Sequence, residues 1–159
     1  MPPRDLALRP VIESDIPVFF AQQRNPEVHH MVGFGAKDPN DEKAFTEKWM
    51  KILANPDLDT RAILLEGMIV GHVVSFVKEE KRQVGYLIDR EHWGKGVATR
   101  AMELFLKDLS ERPLYAGTAW DNLASMRILE KCGFVRVGTA RSYGNARGCE
   151  IEEILWMLP

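Results

Sequence analysis

Residues 84–106 read VGYLIDREHWGKGVATRAMELFL. Two periodicities meet in this stretch. The segment Gln83–Asp89 has the composition of a strand, whereas Val97–Leu109 places Ala98, Ala101, Met102, Phe105 and Leu109 on one helical face. Between them, Trp93-Gly94-Lys95-Gly96-Val97-Ala98-Thr99 forms the passage from strand to helix. Glycines in such a passage let the backbone turn sharply and come close to a ligand. The first amides of the helix have no partner within it and carry the positive end of its dipole. That combination binds phosphate, and Lys95 and Arg100 add positive charge beside it. The loop is not a P-loop, because Gly94-Lys95 is followed by Gly96 rather than by Ser or Thr. It is not a dinucleotide fingerprint either, because Thr99 stands where a third small residue belongs. Taken alone, a Gly-x-Gly of this kind is a tight turn.

Working outward, the chain reads as strand, helices, three strands, helix, strand, helix, two strands. A first strand covers Leu6–Arg9. Ser14 and Asp15 look like the cap of a helix over Asp15–Arg24, which stops before Pro26. A short helical pattern follows at Glu27–Met31 and a third helix at Asp41–Leu53, separated by the loop of residues 33–40. Ala62–Leu65, Ile69–Val77 and Gln83–Asp89 are spaced as an antiparallel meander. Leu114–Thr118 reads as a strand and Asn122–Cys132 as a helix, with Gly133 and Phe134 fitting a left-handed cap. Val135–Gly138 and Glu150–Leu158 close the chain as strands. Alternation of strands and helices in the second half predicts an α/β (α+β) mixed sheet with helices on both faces.

The length of 159 residues fits a single domain over 1–159. With 45% hydrophobic and 28% charged residues, disordered, collagen-like and coiled-coil classes are excluded. The 21 basic and 23 acidic residues leave a net charge of -2, which gives no bulk attraction to nucleic acid or to an anionic membrane. No apolar run reaches a membrane span, and MPPRDLALRP lacks the apolar core of a signal peptide. Cys132 and Cys149 are too few for a disulfide scaffold and lack metal-ligand spacing. The expectation is a cytoplasmic, metal-free domain that uses neither nucleic acid nor membrane as partner.

The stretch 84–106, followed by NLASMRILEKCGF at 122–134, resembles the acetyl-coenzyme A site of the GNAT acyltransferases. It is most similar to the branch of ribosomal-protein N-terminal (alanine/serine) acetyltransferases. The family motif is Gln or Arg, two variable residues, Gly, one variable residue, then Gly or Ala. Gly96 and Ala98 fill the last two small positions, while Trp93 replaces the Gln or Arg. The resemblance implies a twisted mixed sheet of six or seven strands that splays between strands four and five, Gln83–Asp89 and Leu114–Thr118 here. It implies that the backbone of Gly94, Lys95, Gly96, Val97, Ala98 and Thr99, with Arg100, holds the pyrophosphate of acetyl-coenzyme A. A bulge at Leu87, Ile88 and Asp89 would free amides for the pantetheine arm. Asn122 matches a further pantetheine contact.

The implied reaction is direct attack of a primary amine on the thioester. It needs an unprotonated amine, a donor for the developing oxyanion and a proton for the leaving thiolate. An amide near Leu87 or Ile88 is the expected oxyanion donor. Many family members supply the proton from a Tyr, but Leu129 stands at that position. Ser125, one helical turn earlier, matches the Ser of the ribosomal-protein branch and is the candidate catalytic group. Ser125 reads equally as a helix cap. The missing Tyr also fits an inactive coenzyme A-binding sensor or assembly module. Glu66, Glu79, Glu80, Asp89 and His72 are base candidates by residue type only, and Tyr86 reads as a packed strand aromatic or a substrate-facing residue.

The acceptor, a peptide N-terminus or a small-molecule amine, should be recognised by residues 24–42 and the loop 139–149. The first segment holds His29, His30, Asp38 and Asp41, and the second Tyr143 and Arg147. His29 and His30 have no third ligand at matching spacing, so no metal is expected. Phe34 and Trp49 read as core or lid residues. The apolar strand Glu150–Leu158, if exposed at an edge, would favour a homodimer.

Overall fold

The computed structural model describes residues 5–33 and 35–159; Phe34 lies outside them. The strands β1 (Leu6–Pro10), β2 (Asp59–Leu65), β3 (Met68–Lys78), β4 (Lys81–Ile88), β5 (Leu114–Ala119), β6 (Val135–Gly144) and β7 (Cys149–Leu158) form one seven-stranded sheet. Its order is β1-β2-β3-β4-β5-β7-β6. Every neighbouring pair is antiparallel except β4 and β5, which run parallel. The expected mixed sheet is present.

Two tight turns build the meander. Glu66-Gly67 joins β2 to β3 and Glu79-Glu80 joins β3 to β4. Both central residues of each turn are left-handed, with φ of 52° and 80° in the first and 51° and 64° in the second. That is the backbone twist which matches the twist of paired strands.

Helices α1 (Ile16–Gln23), α2 (Pro26–Val32), α3 (Glu42–Ala54), α4 (Val97–Asp108) and α5 (Leu123–Lys131) flank the sheet. Neighbouring residues of β2 show how both faces are covered. Ala62 packs with Ile16, Phe19 and Trp49 beneath α1 and α3. Ile63, the next residue, packs with Val97 and Ala101 of α4 on the opposite face. A larger cluster on that second face joins Val84, Met102, Phe105, Leu129 and Trp156. The Trp156 indole N–H donates to Thr118 Oγ1 at 3.0 Å, so the buried ring leaves no unmet donor.

Side chains set most helix starts. Asn25 Oδ1 accepts from Glu27 and Val28, and Asp41 Oδ1 accepts from Ala44. Asp15 does something else: it makes no cap bond to α1. It receives both ends of the Arg9 guanidinium at 2.7 and 2.9 Å and the Ile12 amide at 2.9 Å. The bond to Arg9 holds the buried Asp15 carboxyl below the usual carboxylate range and fastens β1 to the entrance of α1. At the end of α5, Gly133 is left-handed (φ 93°) and the Phe134 amide donates back to Leu129. The buried Phe134 ring completes the expected cap.

Three expectations need correction. First, β7 is not an edge: it lies between β5 and β6, and β6 is the edge strand. The apolar pattern of β7 comes from burial within this chain, which removes the edge argument for a homodimer. Second, the loop 139–149 is mostly strand. β6 runs on to Gly144, paired with β7 down to Gly144–Cys149, so only residues 145–148 turn. Its polar residues hide the strand because this edge faces solvent on one side. Third, β3 and β4 pair residue for residue from Lys78–Lys81 to Gly71–Ile88, with no bulge at Leu87–Asp89. The sheet opens instead because β4 and β5 share one bridging pair, Gln83–Tyr115. Beyond it the two strands part.

Candidate active site

The loop before α4 is held open by its own backbone. Gly94 and Gly96 are both left-handed, with φ of 74° and 76°. A Cβ at Gly94 would meet nothing within 4 Å, so a ligand has room to approach the chain there. Trp93, which stands in place of a Gln or Arg, donates its indole N–H to the Ile88 carbonyl at 2.9 Å. The Arg90 guanidinium lies over its ring, 4.7 Å from the centroid. Trp93 therefore ties the loop to the end of β4.

The first bond of the helix runs from the Arg100 amide to the Gly96 carbonyl at 3.1 Å. The amides of Val97, Ala98 and Thr99 thus have no helical acceptor. The Val97 side chain is buried and anchors this turn. A cleft of about 380 Å³ lies over the loop, bounded by Lys95, Thr99, Arg100 and Lys131. Lys131 comes from the last turn of α5, and in the sequence alone it is indistinguishable from an ordinary helix-end cation. Among the described residues, Glu103 is the one carboxylate lining the cleft, and it pairs with Arg100 at 3.4 Å. Three unmet amides and three cations against one carboxylate fit a polyphosphate ligand.

The gap between β4 and β5 continues from this loop. Asp89 donates its amide to the Val70 carbonyl of β3 at 2.8 Å. Because β3 and β4 pair without a register break, this bond fixes the alternation. Leu87 also turns its amide to β3, whereas Tyr86 and Ile88 turn theirs to the gap. Of the expected trio Leu87, Ile88 and Asp89, only Ile88 therefore presents a free N–H. The Leu87 carbonyl crowds β3: a Cβ on Gly71 would sit 2.2 Å from it, so position 71 accepts only glycine.

Ser125 and Tyr86 meet across the gap, Oγ to phenol oxygen at 2.5 Å. The capping residue of α5 is Asn122, whose Oδ1 accepts from the Ser125 amide at 3.2 Å. The Ser125 hydroxyl is left for Tyr86. Asn122 Nδ2 donates to the Met31 carbonyl at 3.3 Å and so ties α5 to α2. Burial pushes the Tyr86 phenol up to about 12, so it keeps its proton at neutral pH. Leu129, one turn beyond Ser125, is buried in the core.

None of the base candidates joins this pair. Glu66, Glu79 and Glu80 occupy the hairpin turns. His72 is stacked between Phe19 and Trp49, at 4.7 and 5.0 Å, on the other face of the sheet. Asp89 lies 3.9 Å from His92.

The two acceptor segments do meet. Arg147 donates to Asp121 Oδ2 at 2.7 Å and twice to the His30 carbonyl, at 3.1 and 3.2 Å. Asn145 Nδ2 donates to the Gly35 carbonyl at 2.9 Å. Asp41 is spent on capping, Asp38 accepts from the Asn40 amide, and Trp49 is core. Tyr143 is exposed. His29 Nε2 bonds with the Ala36 carbonyl, and no metal-holding group occurs among the described residues. No helix among them is long and apolar enough to cross a membrane.

This fold is shared with solved acetyltransferases. The ribosomal-protein-alanine N-acetyltransferase from Brucella melitensis superposes with a TM-score of 0.79 over 95% of this chain and 98% of its own, at 19% identity. Mycobacterium smegmatis RimJ, solved with CoA-disulfide, gives 0.78 over 96% and 80%, at 20% identity. Residues 5–135 match the acetyltransferase (GNAT) domain family, and the chain belongs to that family. A Bacillus subtilis relative, the probable N-acetyltransferase YjcK, is 42% identical over 62 residues, 36% of this chain. The matched segment spans 34% of that relative's length.

Proposed function

We propose that the chain, as one domain over residues 1–159, transfers the acetyl group of acetyl-CoA to a primary amine, either a peptide N-terminus or a small-molecule amine, by direct attack. One observation carries this reading: the unmet amides of Val97, Ala98 and Thr99 lead directly to a gap where Tyr86 and Ser125 share a hydrogen bond. Family membership and the N-acetyltransferase relative support it.

Acetyl-CoA supplies an activated thioester with a fair leaving group, since a thiol pKa is about 8.5. In this reading, the backbone from Gly94 to Thr99 binds the pyrophosphate, and Lys95, Arg100 and Lys131 add charge. The Tyr86 and Ile88 amides bond the pantetheine arm and stabilise charge developing on the carbonyl oxygen. The Ser125 hydroxyl donates to the departing sulfur, with the protonated Tyr86 phenol replenishing it. The Tyr86–Ser125 bond favours an active enzyme over an inert binding module, because it supplies a proton donor where Leu129 offers none.

Calorimetric titration with acetyl-CoA, followed by an amine screen that reads free-thiol release, tests the reading. Binding and amine-dependent thiol release are expected. Absence of binding at millimolar acetyl-CoA overturns it.

A further inference from the structure

On the face of β5 opposite α4 and α5, Gly117 has no side chain, and a carboxylate fills the space. A Cβ on Gly117 would lie 2.6 Å from Glu153 Oε2 and 2.9 Å from its Cδ. Glu153 stands opposite Ala119 on the neighbouring β7, so its side chain leans along β5 and across Gly117. β5 borders the gap. The Glu153 carboxylate is therefore brought toward the opening from the side away from the Tyr86–Ser125 pair, because Tyr86 packs on the face covered by α4 and α5 and bonds Ser125 of α5 there. Tyr115, on the same face of β5, has the Lys81 ammonium over its ring at 4.9 Å. Glu153 itself forms no ion pair or side-chain hydrogen bond among the described residues. Half-burial raises its pKa, and the charge of Lys78 lowers it in part. A half-buried carboxylate with no fixed partner, beside a gap, is arranged to receive a cation.

We infer that Glu153 is the acceptor-side carboxylate: it receives the ammonium group of the incoming amine over Gly117 and takes its proton. This rests on the acetyl-transfer reading above. The proton count balances. One N–H proton passes from the ammonium to the Glu153 carboxylate and frees the nitrogen lone pair. The nitrogen then bonds the thioester carbon, and the carbon–sulfur bond breaks. The sulfur takes a proton from the Ser125–Tyr86 pair, the nitrogen's second proton leaves to water, and water reprotonates the pair. Glu153 returns its proton to solvent, so the net products are an amide, a thiol and one released proton.

The acceptor class follows. It is a primary amine that is cationic at neutral pH, and the carboxylate contributes to holding it.

Glu153→Gln keeps size and shape and removes the charge. Gly117→Ala puts a methyl group where the carboxylate lies and displaces it. Two probes are used, alaninamide and N-acetyl-lysine amide, whose amines have pKa values near those of an α-amino group (about 8) and a lysine (about 10.4). Both variants should bind acetyl-CoA as the parent protein does. Calorimetric binding of either amine to the CoA-saturated protein should weaken about tenfold or more. The kcat/KM for transfer should fall about 100-fold. The loss in Glu153→Gln should be larger for the lysine probe, which carries more protonated amine at the assay pH. Unchanged amine binding and transfer in both variants would overturn the role of Glu153 and leave the acetyl-transfer reading standing. Absence of acetyl-CoA binding by the parent protein, or of thiol release with both probes and with a wider panel of primary amines, would overturn both.

Discussion

The phenol oxygen of Tyr86 lies 2.5 Å from Ser125 Oγ, joining β4 to α5 across the opening of the sheet. In the sequence Ser125 reads equally as a catalytic group and as a helix cap, and Tyr86 as a packed aromatic or a substrate-facing residue. A serine is a weak acid, and a tyrosine on a strand is usually packing. Together they form a proton-bearing unit, because burial keeps the phenol protonated at neutral pH.

Ser125→Ala should lower kcat about 100-fold and leave acetyl-CoA affinity nearly unchanged. Tyr86→Phe should lower it about tenfold. The double variant should be little worse than Ser125→Ala, because groups acting as a unit are not additive. Steady-state kinetics of the four proteins make the cycle, and fully additive losses would count against a shared role.

Gly96→Val should abolish acetyl-CoA binding while the protein stays folded. Gly96 is left-handed at φ 76°, a conformation that β-branched residues resist, and its backbone borders the unmet amides. Circular dichroism with calorimetry separates loss of binding from loss of fold.

Lys131→Glu should weaken acetyl-CoA binding several-fold, and the difference should shrink as salt is raised. With a formal net charge of -2, the protein has no global field to attract a polyanion, so local cations matter. Binding curves at low and high ionic strength give the test.

Stability should fall as pH drops below about 6.5. Burial lowers the pKa of His72 to about 4, and the charge of Lys48 adds to this. Nδ1 of His72 is buried without a partner. Because the folded-state pKa is depressed, the unfolded chain takes up the proton first as pH falls. The stabilisation is full above 6.5 and is lost progressively from there down to about 4, by close to 1.4 kcal/mol per pH unit. Urea unfolding of the parent and of His72→Phe across this range checks it; the variant should lack that slope.

Much of the fold is legible in the sequence because its signals are local. Two periodicities meeting at Gly94–Gly96 locate β4 and α4, and Gly133 ends α5 where expected. What the sequence hides depends on which strands pair. The apolar run of β7 looks like an edge until β6 covers it, and the polar tail of β6 looks like a loop until β7 pairs with it. The site divides the same way. The unmet amides at the entrance of α4 follow from helix geometry and are readable in one segment. The pairing of Tyr86 with Ser125, 39 residues apart, and of Glu153 with the space over Gly117, needs the folded sheet.

The most direct test is free-thiol release from acetyl-CoA in the presence of a panel of primary amines, with Gly96→Val as the control. Amine-dependent thiol release by the parent protein, absent in the variant, is the predicted result. Tight acetyl-CoA binding with no thiol released by any amine would contradict it and leave an inert binding module.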